Sequence, residues 1–208
     1  MVDKVEHSYL DTRGLSLHIA HVGKGELGAV LFFIHGFPEI WYSWRHQMHA
    51  VAKAGFKAIT PDLRGYGLST QPSESEKTTW EDLVADLLAI LNFLCIPKVF
   101  IVAKDCGART AEIIELADPS TPLPHWFTEE DLNAYVAAVY EKSGFQFPLQ
   151  MPYRTLHKGT GIDDPKLEFV PDLEVEYIPE GSHFVQEQFP DPVNQLVITF
   201  LKNHYLSY

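Results

Sequence analysis

The chain has 208 residues, 46% of them hydrophobic and 21% charged, with a formal net charge of −12 at pH 7. That length supports one substantial core or two small ones, and the composition belongs to a folded chain and not a disordered one. So acidic a surface, with no Lys/Arg cluster to offset it, repels phosphate backbones and anionic lipid, which argues against nucleic-acid and membrane partners.

The opening MVDKVEHSYLDTRG has no apolar stretch of the signal-peptide kind, and no run nears the roughly 18 apolar residues of a membrane span. Cys95 and Cys106 are too few for a disulfide scaffold and too sparse for a structural zinc site. The expectation is a soluble, cytoplasmic protein. LSLHIAHV (15–22) reads as a half-buried strand, and the wholly apolar AVLFFI (29–34) as a strand covered on both faces. After the turn HGFPE, residues 41–55 repeat at helical spacing through Trp41, Trp44, Met48 and Val51 and stop at Gly55. FKAIT (56–60) is another strand, and 61–77 a loop rich in Gly, Pro and Ser.

Thr78 and Glu81 suggest a capping box for a helix that buries Leu83, Leu87, Ile90, Leu91 and Leu94. A strand follows at 98–103, then a helix pattern from Gly107. This alternation predicts an α/β fold, an open and mostly parallel sheet with helices on both faces. DPSTPLPHW (118–126) reads as a junction, and FTEEDLNAYVAAVYEKSG as a helix. LEVEYI (173–178) reads as a last strand, and Asp191–Pro192 as the start of a last helix carrying Val193, Leu196, Val197, Phe200 and Leu201.

The first chemical candidate is Asp105, in VFIVAKDCGARTAEI. Ala103 and Gly107 flank it where a tight strand-to-helix turn leaves no room for larger side chains. Such a turn lifts its middle residue at the carboxyl edge of the sheet, where a carboxylate can attack an electrophilic carbon. On local pattern alone, an aspartate charging a helix N-terminus is the commoner reading. His35 opens the HGFPE loop, which can aim the Phe37 N–H at a developing oxyanion with the Cys106 N–H as partner. A plain loop with a structural histidine is the alternative. His183, in EGSHFVQEQFPD, stands where a histidine can activate water, and Tyr153 can donate a proton to an oxygen leaving group. Asp62, with Arg64 as a candidate partner, reads as rim structure. No HExxH, CxxC, GxGxxG or GxxxxGK pattern occurs, so neither a metal nor a nucleotide cofactor is expected.

HGFPEIWYSWRHQM, PDLRGYGLS, VAKDCGA and GSHFVQE together resemble α/β-hydrolases, and in detail the soluble epoxide hydrolases of plant type. The resemblance implies an α/β-hydrolase-like core over 1–117, a reduced helical cap over 118–158, and a C-terminal core segment over 159–208. It implies hydrolysis of an apolar epoxide to a vicinal diol, with Asp105 as nucleophile and His183 as the base for water. Tyr153 matches the second of two cap tyrosines that polarise the epoxide, and Phe37 and Cys106 match the oxyanion hole. No cofactor is implied.

The chain departs from the family in three places. Its turn reads Lys104-Asp105-Cys106-Gly107 where the family has His-Asp-Trp-Gly. Two core and cap blocks have no counterpart, and no residue matches the acid that orients the histidine; Asp163 and Asp164 are the nearest substitutes. Two other readings therefore stay open: a catalytically impaired homologue that binds a ligand or protein, and a haloalkane dehalogenase-like hydrolase.

Overall fold

A computed structural model of the chain describes residues 4–28, 30–74, 77–104, 130 and 176–205. Among the described residues, β1 (Glu6–Thr12), β2 (Leu15–Val22), β3 (Val30–Ile34), β4 (Lys57–Pro61) and β5 (Phe100–Ala103) form a sheet in the order β1-β2-β4-β3-β5. β1, β2 and β4 pair antiparallel, while β4, β3 and β5 run parallel. The helices among the described residues are α1 (Arg45–Lys53), preceded by a 3-10 turn at Trp41–Trp44, α2 (Trp80–Phe93), the short α3 (Val185–Gln188) and α4 (Pro190–His204).

The period-two pattern of each strand divides the core into two layers. Ala20, Val22, Leu31, Phe33 and Ala58 point to one face, where Met48 and Val51 of α1 and Leu201 of α4 cover them. Leu15, Leu17, Ile19 and Ile59 point to the other, under Ile90 of α2. Side chains as fully buried as Phe33 and Leu17 each contribute about 1.5–3 kcal/mol of apolar burial. The expected α/β architecture is therefore present, with helices on both faces of the sheet.

Four details differ from the sequence reading. β1 is an added strand, joined to β2 by a two-residue turn in which Arg13 and Gly14 both have positive φ (51° and 78°), the geometry that follows the sheet's twist. The capping box lies one residue later than expected. Thr79 and Asp82 make it, and the Thr79 backbone N–H and then Arg13 hold the Asp82 carboxyl below its usual range. Arg64 pairs with Asp86, at 2.6 and 2.7 Å, and not with Asp62. Finally, residues 176–178, the second half of the expected strand LEVEYI, are irregular. Tyr177 is 87% exposed there, and no strand among the described residues pairs with it. The first half of LEVEYI, the junction and cap read over 118–158, and the helices read from Gly107 and from Phe127 lie outside the described residues, Glu130 excepted.

The chain leaves β3 through α1 on one face and reaches β5 through α2 on the other. The carboxyl ends of β3 and β5 therefore flank the point where the connections diverge, the usual place for a site in an open α/β sheet.

Candidate functional site

HGFPE leaves β3, and Lys104 leaves β5 beside it, its N–H bonding to the Ile34 carbonyl at 3.2 Å. His35 is fully buried. Its Nε2 accepts from the Leu63 N–H at 3.0 Å, so its Nδ1 carries the proton and donates to the Gly36 carbonyl at 2.9 Å. It thus ties the HGFPE loop to the PDLRG loop as a structural histidine. Burial pushes this imidazole below its ordinary 6.5, outweighing the opposite effects of Asp62, the Gly36 carbonyl and Glu39.

Phe37 is buried, and its N–H makes no hydrogen bond among the described residues. Its carbonyl accepts from His183 Nε2 at 3.0 Å. One residue of the loop therefore presents an unused amide and also holds the histidine. A carbonyl only accepts, so His183 Nε2 carries a proton in this arrangement. No carboxylate contacts its Nδ1 among the described residues.

The segment carrying His183 is anchored from three sides. Glu187 Oε2 meets Arg45 at 2.6 Å, and the Arg45 guanidinium lies over the Tyr42 ring. Gln47 donates to the Gln186 carbonyl at 2.8 Å, and the Gln186 amide donates to Glu39 Oε1. Glu39 is wholly buried, and the same Oε1 accepts from Lys104 Nζ at 2.7 Å. Lys104 Nζ also stands 4.7 Å from the centre of the Phe184 ring. The residue preceding Asp105 is thus paired with the HGFPE loop and touches the neighbour of His183.

The structure brings Phe37 and His183 together; Asp105, Cys106, Tyr153, Asp163 and Asp164 lie outside the described residues. Sequence reasoning assigned no role to Glu39, Gln47, Gln186 or Glu187. Their only sign was polar side chains in HGFPE, WRHQM and FVQE, beside segments otherwise apolar or turn-forming. Trp44 is a core residue. Among the described residues no group of three or more His, Cys, Asp or Glu could hold a metal, and no helix is long and apolar enough to cross a membrane.

Residues 29–113 match the family described as alpha/beta hydrolase fold. The chain has that fold: it superposes on an epoxide hydrolase from Vigna radiata with a TM-score of 0.76, over 96% of this chain and 98% of the other, at 22% identity. It is 44% identical to Epoxide hydrolase 2 of Siraitia grosvenorii over 110 residues, which are 53% of this chain and 34% of that protein. The chain thus spans about a third of that relative's length. It is also 25% identical to the AB hydrolase superfamily protein YfhM of Bacillus subtilis over 287 residues, covering 97% of this chain and 100% of that protein. An alignment longer than 208 residues means that internal segments of that relative have no counterpart here.

Two outcomes follow. Lys104→Met leaves the Glu39 carboxylate buried without its ammonium and should cost about 3–5 kcal/mol in urea unfolding, most of it recovered in Lys104→Met/Glu39→Gln. A single variant no less stable than the double would contradict the pairing. Because His35 binds a proton more readily once unfolded, stability should fall as pH drops below about 6.5, and fall less steeply in His35→Asn. Equal slopes between pH 7.5 and 5.5 would contradict it.

Proposed function

We propose that the chain is an epoxide hydrolase acting on apolar epoxides. The Asp105 carboxylate attacks a ring carbon and forms an ester, while Tyr153 gives a proton to the departing oxygen. Water activated by His183 then attacks the ester carbonyl, and the Phe37 and Cys106 N–H groups receive the oxyanion before the diol leaves. This chemistry needs no cofactor.

The observation that carries the reading is at Phe37. A buried amide without a partner among the described residues is costly unless it serves a ligand, and His183 is fastened to the same residue. The names of the relatives from Siraitia grosvenorii and Vigna radiata support the substrate class.

The two half-reactions differ in what they require. Ester formation needs Asp105 and Tyr153, whereas ester hydrolysis needs a His183 nitrogen free to take a proton. Nε2 donates to the Phe37 carbonyl, so the imidazole must turn or change tautomer first. No carboxylate among the described residues fixes the tautomer, and a step left so slows by about four powers of ten. The ester therefore accumulates.

Incubation with styrene oxide, an early quench and intact-mass measurement should show an adduct of one epoxide that is absent in Asp105→Asn. Diol should appear more slowly than adduct. Absence of both adduct and diol would exclude the enzyme and leave a ligand-binding role.

A further inference from the structure

A second constellation is built on the β1–β2 hairpin and Asp62, none of whose residues takes part in the chemistry proposed above. Asp62, wholly buried at the end of β4, accepts from the backbone N–H groups of Trp41 (2.8 Å) and Leu68 (3.0 Å) and from His18 Nδ1 (2.8 Å). His18, also wholly buried, meets His7 Nδ1 through its Nε2 at 2.9 Å. His7 is exposed, and its Nε2 has no partner among the described residues. The two imidazoles stack, with centroids 5.1 Å apart at 19°, and Trp41 packs edge-on against His7 at 5.0 Å.

These contacts determine the protons. The Asp62 carboxylate only accepts, so His18 Nδ1 is the donor. In a neutral chain His18 Nε2 then carries a lone pair and accepts from His7 Nδ1–H. The lone pair that remains is on His7 Nε2, the ring nitrogen not bonded to His18, on an exposed residue. This is the order of a nucleophile, a base and an orienting acid, each within hydrogen-bond reach of the next.

We propose that His7 is a nucleophilic site for activated acyl donors such as aryl esters and mixed anhydrides. Nε2 attacks the acyl carbon, and the aryloxide or carbonate leaves with its bonding electrons. The acylimidazolium passes its Nδ1 proton to His18 Nε2, and the resulting imidazolium rests against Asp62. Water then attacks the acyl group and releases one proton to solvent, His18 returns its proton to His7 Nδ1 as the C–N bond breaks, and the carboxylic acid departs. Burial, then the neighbouring His18, and after them His21 and Lys4, hold the His7 imidazole below its usual range against the pull of Asp62, which keeps the attacking form populated near neutrality.

The test is diethyl pyrocarbonate at pH 7 on the full chain, with N-acetylhistidine in the same solution and the label located by mass spectrometry. Ethoxycarbonyl should form on His7 about tenfold or more faster than on the free imidazole. It should fall to the free rate or below in His18→Asn, and the His7 label should vanish in His7→Gln. A wild-type rate at or below that of N-acetylhistidine would overturn the proposal, as would an unchanged rate in a folded His18→Asn. Should that variant not fold, the wild-type ratio decides. The label is read at His7 itself, so the result does not depend on whether Asp105 forms an ester.

Discussion

The Glu39 carboxylate is the contact on which the candidate site depends. It is wholly buried, and one of its oxygens receives both the Lys104 ammonium and the Gln186 amide. The carboxylate and its two partners come from three separate stretches of chain: the loop after β3, the end of β5, and the segment that carries His183. A buried carboxylate binds donors far more tightly than an exposed one, because leaving it unpaired costs the full desolvation of a charge. The pairing therefore fixes the spacing of these segments more strongly than apolar packing alone would. Lys104 thereby serves the scaffold: its ammonium pairs with Glu39, two residues from Phe37.

Histidines divide the remaining work by what their ring nitrogens face. His35 joins two backbone groups and stays neutral under burial, so it behaves as a strut. His18 lies between a carboxylate and a second imidazole, so it can relay a proton. His183 faces a carbonyl and has no carboxylate behind it among the described residues, so its proton sits on the nitrogen that a base would need bare. The same side chain thus takes three roles, set by the hydrogen-bond partners of its ring nitrogens.

Much of the fold could be read from periodicity. AVLFFI and LSLHIAHV announced β3 and β2, and the spacing of Met48 and Val51 placed the buried side of α1. β1 was missed because EHSYLDT carries few apolar residues; its partner β2 and the Arg13–Gly14 turn make it a strand. The capping box slipped by one because Thr78 and Thr79 stand side by side, each with a carboxylate three residues on. LEVEYI alternates like a strand, yet a strand needs a neighbour, and residues 176–178 have none among the described residues. At the candidate site, the motifs HGFPE and GSHF singled out Phe37 and His183, which the structure brings into contact. Glu39 was not, since its two partners lie 65 and 147 residues away, and no local pattern encodes such contacts.

The most direct measurement is the tautomer of His183, read from side-chain ¹⁵N chemical shifts of the labelled protein above pH 7.5, with His183→Asn for assignment. The account predicts a protonated Nε2 and a bare Nδ1, the pattern that a donor to the Phe37 carbonyl requires. A protonated Nδ1 with a bare Nε2 would contradict it, and would mean that an acid orients His183 after all.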